Sequence, residues 1–211
     1  MPNAFTPTAD LILRAVLLTV AAVLTAGALT FTARGLWYVE PAMGTVASQP
    51  IMFSHEHHAG RLGLDCRYCH AHTEESDFAG LPTAETCLNC HAQLYTTAPM
   101  LQPVRDAWAQ SRPIAWRRVN LVPDFVRFSH KVHVAGGIPC VSCHARLDEQ
   151  PLTRQSAPLT MGWCLDCHRH PEDRSVETSR VFDPTAVPGP GHAGGAVDRS
   201  ELLTNCSACH Y

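Results

Sequence analysis

A mainly α-helical and irregular fold with little side-chain core, preceded by one N-terminal transmembrane helix, is what this sequence predicts. Three observations carry it. The pattern C-x-x-C-H occurs five times and uses all ten cysteines. Nineteen consecutive uncharged residues occupy positions 15–33. The chain is also poor in aromatics, at 7%, while Pro and Gly number 16 and 13, so an ordinary packed core has few large side chains to draw on.

The motifs are Cys66-Arg67-Tyr68-Cys69-His70, Cys87-Leu88-Asn89-Cys90-His91, Cys140-Val141-Ser142-Cys143-His144, Cys164-Leu165-Asp166-Cys167-His168 and Cys206-Ser207-Ala208-Cys209-His210. Two thiols at this spacing reach the two vinyl groups of a haem as thioethers, and the adjacent imidazole turns beneath the iron as its proximal ligand. Five covalent haems c follow, attached through Cys66, Cys69, Cys87, Cys90, Cys140, Cys143, Cys164, Cys167, Cys206 and Cys209. Their proximal ligands are His70, His91, His144, His168 and His210. Zinc knuckles also use paired C-x-x-C, but leave the next residue free to vary. With 13 His in 211 residues, five such coincidences have a chance on the order of one in a million. The macrocycles then supply the apolar surface that the side chains lack, and short helices are expected to end in each motif.

A formal charge of −3 gives no case for nucleic acid. Basic residues are Arg at every position but Lys131, a bias that suits planar pairing with haem propionates and equally suits a codon preference.

The uncharged run is long enough to cross about 30 Å of hydrocarbon. Trp37 and Tyr38 follow at the expected interface. Ala26-Gly27-Ala28 has the small-residue look of a signal-peptide cleavage site, but the run exceeds a usual h-region, so an uncleaved single-pass anchor is expected. Covalent haem attachment takes place outside the cytoplasmic membrane. The expected division is therefore a cytoplasmic N-terminus at 1–14, a transmembrane helix at 15–36, and a periplasmic pentahaem domain at 37–211.

Within that domain the sequence repeats. Phe53-Ser54-His55-Glu56-His57-His58 precedes Cys66 and Cys87, as Phe128-Ser129-His130-Lys131-Val132-His133 precedes Cys140 and Cys164. The offsets are 75 residues between the Phe positions, 74 between Cys66 and Cys140, and 77 between Cys87 and Cys164. A duplicated dihaem module is the simplest account, at about 53–91 and 128–168, with the fifth motif at 206–210 outside the duplication and at one end of the chain of haems. Four prolines between 92 and 127 leave room for one short helix, near 104–110. The Pro/Gly-rich stretch 184–195 reads as an irregular connection.

Eight further His are available as distal ligands. An iron with six protein ligands exchanges electrons with little rearrangement, whereas an open sixth position does chemistry. The paired His of each module are three apart and can address two different haems, which nominates His55, His58, His130 and His133. For the fifth distal position Met161 is chosen over His57, His72, His170, His192, Met52 and Met100, because it lies three residues before Cys164. Met ligation would raise that haem's potential and make it the electron sink.

The span, the stretch from Pro123-Asp124-Phe125-Val126-Arg127 through the second Phe-Ser-His, the segment Leu159-Thr160-Met161-Gly162-Trp163-Cys164 and the closing motif together resemble the pentahaem cytochrome c subunit of alternative complex III, a bacterial quinol:electron acceptor oxidoreductase. The modules are similar to class III, c7-like cytochromes. The resemblance implies a non-catalytic electron-transfer subunit in a respiratory or photosynthetic membrane. It would relay electrons to a monohaem cytochrome, a soluble carrier or an oxidase. The implied partners are an iron-sulfur subunit, polytopic quinol-binding subunits and a monohaem cytochrome c subunit. Two other classes fit less well. A self-contained, membrane-anchored quinol dehydrogenase would normally carry four haems, and a pentahaem nitrite or hydroxylamine reductase needs an open haem and a far larger chain.

Overall fold

The computed structural model describes residues 6–39, 43–189 and 200–210, without the side chains of 35–39 and 200. Trp37, Tyr38 and His192 therefore fall outside the described side chains. The chain divides into two units, residues 1–42 and 43–211.

The first unit is one helix, α1, Pro7–Val39. Thr6 opens it by accepting from the Ala9 N–H at 3.3 Å, and Pro7 sits where a missing N–H costs nothing. Asp10 pairs with Arg14 one turn on, at 2.9 Å. Beyond that pair the surface is apolar, and residues Pro7–Arg34 are long and apolar enough to cross a membrane. The helix starts eight residues earlier than the uncharged run. Its threonines hide their hydroxyls in the helix itself: Thr19 donates to Ala15 O and Thr25 to Ala21 O, both at 2.8 Å. Such internal bonds suit a helix whose surroundings offer no water.

The second unit holds eight short α-helices among the described residues: α2 Cys66–Cys69, α3 Ala84–His91, α4 Gln102–Ala109, α5 His130–Ala135, α6 Val141–His144, α7 Met161–Arg169, α8 Ser200–Leu203 and α9 Cys206–Cys209. No strand forms among them, and pairing is limited to isolated bridges such as Val126 with His210. Four of the five motif helices begin at a side-chain cap that satisfies an orphan N–H: Asp65, Thr83, Thr160 and Asn205 accept from Arg67, Thr86, Trp163 and Ser207. The caps recur in register, Thr83 and Thr160 each standing four residues before the first cysteine of the second motif of their module.

Side-chain cores are small. Ile51, Ala84, Val104, Ala107 and Ile114 pack between α3 and α4, with Trp116 beside them. Val176, Val181 and Ala186 form a second cluster with Val134 and Phe182. Tyr95, Phe125, Val132 and other large apolar residues stay exposed.

The modules differ in the segment after the repeated Phe-Ser-His. The segment after His55 is a π-helix, Glu56–Arg61, whereas its counterpart after His130 is α5. Within it Gly60 passes close to the second module: a Cβ there would stand 2.2 Å from the Asp148 main-chain oxygen. The equivalent position in the second module is Ala135.

Candidate haem-ligating centres

In each motif the two cysteines stand three apart on or at the start of a helix that ends within one residue of the motif His. In each module the repeated Phe then orders the distal pair. Phe53 meets His55 edge-on at 4.9 Å and stacks on His58 at 4.4 Å. Phe128 does the same with His130 at 4.9 Å and His133 at 4.6 Å.

The four distal candidates face four motif imidazoles. His55 lies 6.4 Å from His70 with rings 4° from parallel, and His130 lies 6.5 Å from His144 at 7°. His58 lies 6.2 Å from His91, and His133 lies 6.1 Å from His168. Two imidazole nitrogens bound to one metal at about 2 Å each put the ring centres roughly 6 Å apart. Thus His residues three apart in sequence face different motif imidazoles.

The other ring nitrogen is held in every one of these eight residues. Nδ1 of His70 lies 2.8 Å from Gly80 O, His91 3.1 Å from Leu94 O, His168 2.9 Å from Leu203 O, His58 2.9 Å from Ser54 O, His130 2.8 Å from Asp77 O and His133 2.7 Å from Ser129 O. His55 Nδ1 lies 2.9 Å from Thr153 Oγ1, and His144 Nδ1 lies 3.2 Å from the Asn120 carboxamide. A proton on Nδ1 leaves the Nε2 lone pair for a metal, the usual outer support of a ligating imidazole. Burial, aided by the neighbouring imidazoles, pushes both His55 and His144 down to about 4, which keeps them neutral. Gly80 gives its carbonyl to His70 from a φ of +84°, a conformation that an L side chain strains to adopt.

The anchors cross between modules. His55 and Glu56 bind Thr153 and the Gln150 main chain of the second module, at 2.9 and 3.0 Å. His130 and Lys131 bind Asp77 O and Ser76 O of the first, the latter at 3.1 Å. Motif thiols that lie near one another link the motifs into a series. Cys87 is raised by burial and by the charge of Cys69. The Cys66 and Cys140 thiols are neighbours that shift each other, the first down and the second up. Cys143 is raised by burial and then by Cys167 and Cys164, and Cys164 by burial and then by Cys209. The succession is second, first, third, fourth, fifth.

The fifth centre is built differently. Its His210 stacks on Phe125 at 5.7 Å, and the Arg127 N–H donates to Cys209 O at 2.7 Å. Met161 opens α7 at 67% exposure, one turn before Cys164, which senses Cys209. Of the other candidates, His57 is exposed beside His58, and His170 is exposed 3.7 Å from Glu172. His72 is exposed too, as are Met52 and Met100. Thr153 and Asn120 carry no motif and could not be found by pattern, and the carbonyl partners are open to any residue type.

Residues 126–211 match the family of cytochrome c7 and related cytochrome c. Over 111 residues the chain is 32% identical to the menaquinone reductase multihaem cytochrome c subunit of Nitratidesulfovibrio vulgaris, a match covering 52% of each chain. The chain thus spans about half the length of that curated relative.

Proposed function

Starting from a multihaem cytochrome c with a c7-like C-terminal part and covalently bound haem c, we propose that this chain is the pentahaem electron-transfer subunit of a membrane quinol-oxidising complex of the alternative complex III kind. The observation that carries the reading is the set of four imidazole pairs at 6.1–6.5 Å, each ring held at Nδ1. Two protein ligands at each of these centres leave no coordination position for a substrate, which is the design of a carrier. Haem c supplies one-electron exchange at its iron. The protein holds each imidazole in one tautomer, shields the central pair from water and strings the motifs in sequence. In this reading α1 is an uncleaved anchor, the haem unit faces the periplasm, and quinol chemistry belongs to partner subunits.

Met161 is the proposed distal ligand of the fifth haem, reached from the start of α7. Met161→His should lower the midpoint of one haem and leave four unchanged. A redox titration with no shift would take Met161 off the ligand set.

The name of the relative favours a second reading, in which electrons run toward menaquinone and reduce it. Gentle detergent extraction, a native gel with haem stain and peptide identification of the band address the complex directly. Migration with iron-sulfur and polytopic subunits, together with quinol-driven reduction of a high-potential acceptor, is the expected result. Turnover only in the direction of quinone reduction would favour the second reading. A chain that runs alone and still oxidises quinol would make it a self-contained quinol dehydrogenase.

A further inference from the structure

The Nδ1 acceptors are not all alike. At the two outer centres of the duplicated pair, formed by His58 with His91 and by His133 with His168, each acceptor is a main-chain carbonyl. Each of the two central sites instead has one carbonyl and one side chain. His70 uses Gly80 O while its opposite ligand His55 uses Thr153 Oγ1. His130 uses Asp77 O while its opposite ligand His144 uses Asn120.

The Asn120 contact fixes its own polarity. Oδ1 is buried with no partner among the described residues, while Nδ2 stands 3.2 Å from His144 Nδ1. Half a turn of the carboxamide lets Oδ1 accept from the Nδ1 proton. Thr153 has one orientation compatible with a metal on the far nitrogen: its oxygen accepts from Nδ1–H, and its own proton points elsewhere.

We propose that Thr153 and Asn120 are positioning residues that set the tautomer and basicity of one iron ligand each at the two central haems, and thereby the potentials of those haems. The inference rests on the ligand reading given above. An acceptor on Nδ1–H raises the basicity of the metal-bound nitrogen. A more basic ligand favours ferric iron and lowers the potential. Main-chain carbonyls cannot be deleted by substitution, so these two positions are where sequence change can adjust a single haem.

The test uses the full-length, haem-loaded chain extracted from membranes, read by spectroelectrochemical titration and by low-temperature electron paramagnetic resonance of the ferric state. Thr153→Val removes the acceptor at nearly constant shape. It should raise the midpoint of one haem, by roughly tenfold in the ferric/ferrous ratio at fixed potential, about 59 mV for one electron. Thr153→Ser should restore the original value. Asn120→Asp supplies a stronger, charged acceptor and should lower the midpoint of a different haem, a sign that simple structural damage does not produce. If Thr153→Val fails to mature, Asn120→Asp decides. A wild-type chain lacking low-spin bis-imidazole signals would sink the ligand reading and this inference with it. Wild-type signals as expected, with all five midpoints unmoved in the matured variants, would overturn this inference alone.

Discussion

His130→Ala should turn one haem of the five from low-spin to high-spin and leave the other four low-spin. His130 sits in the middle of the motif succession, facing His144 at 6.5 Å, with its Nδ1 fixed on Asp77 O. Removing the ring opens a coordination position that water or added imidazole can enter. Axial-ligand identity spans about 0.8 V in haem proteins, so a shift of a tenth of that range exceeds a tenfold change at about 59 mV per decade. Electron throughput of the complex should therefore fall by at least about tenfold, and free imidazole should recover part of it. A ferric spectrum identical to wild type would show that His130 is not a ligand.

Gly60→Ala should damage the junction between the modules more than any other single methyl group. The added Cβ would meet the Asp148 carbonyl oxygen at 2.2 Å, and main chain on both sides has no flexible end to yield. Overpacking of this kind costs roughly 1–3 kcal/mol, several degrees in the melting temperature of a domain this size. The reciprocal change at the matching position, Ala135→Gly, should cost about 1 kcal/mol or less, the ordinary helix penalty. Because His55 is anchored across the same junction by Thr153, the spectral change should concentrate on the haem it serves. Equal melting temperatures for the two variants would contradict the steric argument.

Much of this was legible in the sequence, for reasons that can be named. The attachment motifs announce themselves because thioether chemistry fixes their spacing. The duplication shows in Phe-Ser-His-x-x-His because one Phe must touch two imidazoles, as Phe53 and Phe128 do. The helix expected near 104–110 is α4, with Pro99 upstream, Pro103 in its first turn and Pro113 beyond. What could not be read is the cross-anchoring. Six of the eight Nδ1 acceptors are carbonyls, which every residue owns, so nothing in composition marks Gly80, Leu94 or Leu203 as ligand supports. The π-helix after His55 was hidden too, since the Asp148 carbonyl packed against Gly60 lies 88 residues away in sequence.

The two modules meet through their first motifs, Cys66 against Cys140, with the second motifs outermost. Read from Cys87 to Cys164, the succession of facing imidazole pairs is a palindrome: outer, central, central, outer. Gene duplication of this geometry supplies no downhill slope, because each step in one half is mirrored in the other. A bias in either direction has to come from whatever breaks the mirror. The breaks are few: Gly60 against Ala135, the Asp65 cap of α2 that α6 lacks, Thr153 on His55 against Asn120 on the motif imidazole His144, and the fifth motif outside the repeat. A relay so nearly symmetric is well suited to being driven by its terminal partners, and reversing those partners would reverse the current without redesigning the wire.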